Sequence, residues 1–234
     1  MTRIAWRQID GYAGLPPRSA LLGDGASRNG LRIAGVQWVW AENLPLESDE
    51  WRELTDRVSD DGWCEISDFL PRVRFVAEIR TSQSPRHDVK DIDPATVGIV
   101  DRMPLEDLAP DPKATAKTRF DVPGQIEIET RSATSQLLVV NERFHRGWSV
   151  RIDGIETNNF VAYGDFQACV VPAGEHRVSW VFRPSSLRWG RCLSLVGLLA
   201  TTVLSIIGVL VRRVKFGARV NFGALTKFGA TVKT

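Results

Sequence analysis

Cysteine, histidine and acidic charge toward the carboxyl end are scarce in this 234-residue sequence. Its three cysteines, Cys64, Cys169 and Cys192, are too few and too scattered for a disulfide framework or a cysteine-rich zinc site. At most one bridge can form, Cys192 falls inside an apolar run, and whether Cys64 pairs with Cys169 is left open. The three histidines, His87, His145 and His176, stand far apart without the spacing of zinc ligands, so no metal site is expected. There is no Gly-x-Ser-x-Gly nucleophile motif, and the glycine-rich stretch GDGASRNG at 23–30 lacks the lysine of a phosphate-binding loop. Neither a cofactor nor a catalytic residue is expected. Acidic pairs such as Asp60-Asp61 and Asp91 with Asp93 are read as solvated loop charges, since acid–base work needs carboxyl groups held in a cleft with separated pKa values. With 30 Lys and Arg against 28 Asp and Glu, the net charge of +2 argues against a nucleic-acid partner.

What the chain does have is one long greasy segment. Residues 192–211, CLSLVGLLATTVLSIIGVLV, carry no charge, Asn, Gln, His or Pro. A helix rising about 1.5 Å per residue makes this long enough to cross the roughly 30 Å hydrocarbon layer. Core helices of soluble proteins rarely stay uncharged on every face for so long. The reading is a transmembrane helix over 190–211, with Gly197, Ala200, Thr201, Ser205 and Gly208 offering small residues for packing against other membrane helices.

Lys and Arg resist translocation, and they crowd the C-terminal flank at Arg212, Arg213, Lys215, Arg219, Lys227 and Lys233, against Arg183, Arg188 and Arg191 before the span. This predicts a single pass through the cell membrane, a basic cytoplasmic tail at 212–234 and an extracytoplasmic soluble region. Phenylalanines recur every six residues in the tail, at Phe216, Phe222 and Phe228, which reads as a peripheral segment at an anionic leaflet or a disordered tail. The start, MTRIAWRQIDGYAGLPPR, has no apolar h-region of a signal peptide. Two arrangements accommodate this: a tail-anchored protein with its large domain in the cytoplasm, or the C-terminal part of a longer polytopic protein. The charge bias favours the second.

Before the span the pattern is mainly β, an α+β mixture followed by an antiparallel β-sandwich. Over 125–182 apolar and polar residues alternate, as in Ile126 and Ile128 or Val178, Trp180 and Phe182, which predicts about six half-buried strands. Asp153-Gly154 is a hairpin dipeptide. Residues 31–40, LRIAGVQWVW, read as a helix end, a glycine and a buried strand, and 48–58 as a short amphipathic helix. Further strands are expected at 63–66, 73–79 and 97–100. The proline-rich stretch from Pro104 predicts a linker at 104–118 between an α+β region at 1–103 and a sandwich at 119–184.

The stretch from Pro123 to Pro184 resembles the C-terminal extracytoplasmic domain of YfhO-type bacterial membrane proteins. The likeness is carried by a strand followed by Phe144, His145 and Gly147-Trp148, then the Asp153-Gly154 hairpin, then Pro172-Ala173-Gly174-Glu175-His176, a Phe-bearing strand and a final helix. Upstream, DGYAGLPPR at 10–18, residues 31–40 and FLPRVRFVA at 69–77 are similar to segments preceding that domain. The resemblance implies a glycosyltransferase-like family of many-helix proteins that add sugars to cell-surface polymers from polyprenyl-phosphate donors. It therefore implies an accessory domain in glycan or glycolipid modification at the cell envelope, acting as a C-terminal fragment without catalytic machinery of its own. The partners it implies are membrane lipid, other membrane helices of such a protein, and a glycan or polyprenyl-phosphate sugar. The competing reading is a non-catalytic, tail-anchored β-sandwich scaffold that binds partner proteins.

The candidate binding residues are His145, Arg146 and Trp148. An indole beside a glycine turn can stack on a sugar face while imidazole and guanidinium bind hydroxyl or phosphate. The same Trp148 alternates with Val150 and Ile152, which equally describes a core anchor of its strand.

Overall fold

The computed structural model describes Leu21 and residues 27–43, 58–76 and 78–225. The helix expected at 48–58 and the glycine-rich loop from Gly23 lie largely outside these. The chain forms two compact units, Met1–Arg183 and Pro184–Thr234. Strand takes up 41% of the structure against 24% helix, so the mainly-β reading holds.

In the first unit, α1 (Arg28–Ala34) starts where the Ser27 hydroxyl accepts the Gly30 N–H at 3.1 Å, and it stops at Gly35, which takes the left-handed cap at φ 74°. A two-stranded ribbon follows, β1 (Trp38–Trp40) paired with β2 (Trp63–Glu65). A six-stranded sheet holds β3 (Val73–Val76), β4 (Glu78–Thr81), β5 (Val97–Val100), β8 (Gln136–Arg143), β11 (Phe160–Ala162) and β12 (Phe166–Val171), in the order β3-β8-β12-β11-β5-β4. A five-stranded antiparallel sheet holds β6 (Thr115–Val122), β7 (Gln125–Ser132), β9 (Trp148–Ile152), β10 (Ile155–Thr157) and β13 (Gly174–Phe182), in the order β10-β9-β13-β7-β6. The short helix α2 (Pro85–Asp88) sits between β4 and β5.

The two sheets pack face to face over Ile126, Ile128, Leu138, Val140, Val150, Cys169, Val171, Val178 and Trp180. This is the expected sandwich, with strand alternation set by one buried face: β7 buries every second residue. The Asp153-Gly154 turn joins β9 to β10 with both residues at positive φ, 50° and 86°, as a type I′ hairpin requires. Arg72 clasps the sheets together, pairing with Asp121 of β6 at 3.0 Å and Glu142 of β8 at 2.6 Å.

Three expectations are corrected. The alternation read over 125–182 is absent from β12, where all six residues are buried, and from β8, which buries six in a row. Both strands carry a second core on their other side, where Leu137, Val139, Ala168 and Val170 meet Ile33, Leu70, Val89 and Phe160. Strands covered on both faces carry near-continuous apolar runs, here Leu137 to Val140 and Ala168 to Val171, rather than alternating. The single strand read over 73–79 is two strands at opposite edges of the six-stranded sheet, separated only by position 77. That sheet therefore curls until its edges are neighbours in the chain. Finally, strands on both sides of 104–118 share this sheet, as when β3 pairs with β8, and β6 already begins at Thr115. The stretch is a connection inside one unit, not a boundary between two domains.

In the ribbon, Val39 and Cys64 point into a small core with Leu31 and Ile66. Cys64 and Cys169 thus belong to different cores, and no bridge joins them. The opposite ribbon face keeps Trp38, Trp40 and Trp63 at 40%, 36% and 44% exposure, where a buried strand was expected.

The second unit holds the long helix α3 (Ser185–Leu225). Within Ser185–Val209 an 18-residue window reaches a mean hydropathy of 2.3, with none of that window buried. Twenty-five residues span about 37 Å as a helix, enough to cross a membrane. The hydroxyls inside it are satisfied locally, Thr201 donating to the Gly197 carbonyl at 3.0 Å, Thr202 to Leu198 at 2.8 Å and Ser205 to Thr201 at 2.8 Å. The helix continues as far as Leu225, into the segment read as a basic tail.

Candidate functional site

The predicted residues lie on the turn between β8 and β9, at the end of the sandwich from which the chain leaves for α3. The turn folds on itself: the Gly147 N–H donates to His145 Nδ1 at 2.9 Å, and the Trp148 N–H donates to the His145 carbonyl at 3.0 Å. Its Nδ1 being an acceptor, neutral His145 carries its proton on Nε2.

Phe182, at the end of β13, brings the cluster together. It is the register partner of Trp148, with ring centroids 5.1 Å apart, and it meets the His145 ring edge-on at 5.3 Å. The Phe182 N–H donates to the Gly124 carbonyl at 2.9 Å, and the Arg183 N–H donates to the Gly147 carbonyl at 2.7 Å. Three segments distant in sequence, the β6–β7 turn, the β8–β9 turn and the exit of β13, are thereby tied into one rim.

Trp148 is half-buried and packs against the sandwich core, so its ring serves as the core anchor its alternation described. His145 and Arg146 are exposed, as are Arg143 and Arg183 at the same end. Sequence reading missed Phe182 and Arg183 as members of this group. The available signal was their place at the last residues of the strand that leads into the apolar helix.

Among the described residues no group of three or more His, Cys, Asp and Glu side chains comes together to hold a metal. His176 has a structural partner: its Nδ1 lies 2.7 Å from Asp153 Oδ2 and its Nε2 3.2 Å from the Ala173 carbonyl. Asp60 and Asp61 occupy an exposed turn, and Asp93 holds its own loop by accepting the Ala95 N–H at 3.1 Å. Burial pushes the Cys169 thiol far up from its ordinary value, which leaves it an unreactive core side chain. The rim combines guanidinium groups with aromatic edges, a chemistry suited to a polar, anionic or sugar-bearing surface.

Compared with family models, with curated proteins and with solved structures, the chain matches none.

Proposed function

We propose that this chain is a membrane-anchored, extracytoplasmic accessory domain that works beside lipid-linked sugar chemistry, as in the YfhO-type glycosyltransferase-like proteins its sequence resembles. The observation that carries the reading is the long helix that follows the last sandwich strand after Arg183 and Pro184, with an uncovered 18-residue apolar window inside Ser185–Val209. The rim of His145, Arg146, Trp148 and Phe182 gathers at the end of the sandwich from which the chain continues into that helix. Aromatic rings and arginines are the side chains favoured at the boundary between hydrocarbon and water. The bases after the span support a cytoplasmic C-terminus and a sandwich on the outer side. In that position the rim meets headgroups and the phosphate of a polyprenyl-linked sugar, while the reacting groups come from elsewhere.

The test is topology in a bacterial host. An alkaline phosphatase fusion at Ser135 should be active, a fluorescent protein fused after Thr234 should fold and glow, and the protein should leave the membrane fraction only with detergent. A Ser135 fusion active only as a cytoplasmic reporter overturns the extracytoplasmic placement. Recovery of the protein from buffer without detergent overturns the anchor itself.

A further inference from the structure

The ribbon of β1 and β2 carries a second aromatic group, distant in sequence from the rim residues on β8, β9 and β13. Residues two apart on a strand share a face, and directly paired residues of neighbouring strands do too. Trp38 and Trp40 therefore stand on one face with Trp63, the register partner of Trp40, and Glu65, the register partner of Trp38. The opposite face is anchored by Val39 and Cys64 in their own core, so the tryptophan face is fixed outward.

The rings are held in place. Trp40 and Trp63 meet edge to face, with centroids 5.3 Å apart and planes at 85°. The Trp40 ring lies over Gly62, where a Cβ would come within 3.2 Å of it. Gly62 ends a tight turn in which its N–H donates to the Ser59 carbonyl at 2.9 Å, and the Ala41 N–H donates back to the Gly62 carbonyl at 2.9 Å. That turn sets the exposed carboxylates of Asp60 and Asp61 just before Trp63.

From this arrangement we infer that the ribbon is a binding platform for a neutral pyranose glycan. Indole faces offer electron-rich surfaces to the C–H groups on one side of a pyranose ring, and carboxylates accept hydrogen bonds without donating any. The complement to Trp38, Trp40 and Trp63 beside Glu65, Asp60 and Asp61 is a ligand with an apolar face and a rim of O–H donors. The same carboxylates repel an anionic bilayer and nucleic acid, although tryptophan alone would suit a membrane interface. The inference deepens the proposed accessory role by naming the ligand class and placing its site on the ribbon.

Full-length protein in detergent micelles, titrated with chitohexaose, cellohexaose and mannohexaose by calorimetry, tests it. Saturable binding to at least one hexasaccharide is expected. Trp38→Ala and Trp63→Ala should each weaken it by about tenfold, the scale of one lost aromatic contact. Glu65→Gln should weaken it severalfold, and Trp38→Phe should keep most of it. Far-ultraviolet circular dichroism shows that the variants are folded, and the isosteric Glu65→Gln and ring-preserving Trp38→Phe read the site where alanine perturbs the ribbon. Absence of saturable binding to all three sugars overturns the platform, as does binding that survives both alanine substitutions unchanged. Micelle titration is indifferent to membrane topology, and the reporter fusions are indifferent to Trp38, so failure of one reading is distinguishable from failure of the other.

Discussion

His176 and Asp153 show how a residue that invites a functional reading can be occupied by structure. The hydrogen bond that His176 donates to the Asp153 carboxylate raises the His176 pKa above its ordinary 6.5, while the Arg177 N–H, at 2.8 Å, and then His176 lower the Asp153 pKa below its ordinary 3.8. A raised histidine pKa stabilises the fold below 6.5 and loses that effect as pH rises through the folded value; a lowered carboxyl pKa stabilises above 3.8 and loses it as pH falls. The gap in melting temperature between wild type and His176→Ala should be widest between these two values and shrink on either side; a gap independent of pH would refute the pairing. Because Asp153 is half exposed, the effect is small. The sequence showed His176 at a turn and Asp153 in a hairpin. It could not show them together, because the residues are 23 apart and meet only once β9 and β13 pair in register. The same holds for His145, Trp148 and Phe182, of which only the first two are neighbours in the chain.

Among the elements, strands with one buried face were legible and strands with two were not. The alternation of Ile126 and Ile128 names the inward side of β7 directly, as Asp153-Gly154 names its hairpin. Over 168–171 and 137–140 the apolar run is continuous, and periodicity assigns no side to it. Nor does a local pattern reveal that β3 and β4 run to opposite edges of a curled sheet. Gly98 marks where that curl closes: a Cβ there would lie 2.8 Å from Val76 Cγ2 and 3.3 Å from Leu137 Cδ2. Val76 and Leu137 are both buried, so Gly98→Ala should cost roughly 1–3 kcal/mol of stability by overpacking, measurable by urea denaturation. A change within a few tenths of a kcal/mol would show that the sheet relaxes freely there. The apolar helix was the most legible element, since twenty uncharged residues constrain structure whatever surrounds them.

At the scale of the molecule, the composition shift at 104–118 suggested two domains, yet β3 pairs with β8 across it and one curled sheet draws on both sides. Proline and charge report local backbone preference, while domain boundaries depend on which distant strands pair. Met1–Arg183 should therefore unfold as one cooperative unit in detergent-solubilised protein, with tryptophan fluorescence and circular dichroism following the same urea curve. Val139→Ala, on the side of β8 facing the second core, should move both curves together by about 2 kcal/mol, whereas two separated transitions would restore the two-domain picture. The attachment of α3 has its own consequence. The helix is joined through two residues to β13, which is hydrogen-bonded on one side to β9 and on the other to β7. Tension carried along that helix loads a strand gripped on both flanks, so its release requires two ladders to break where an edge strand would give up one.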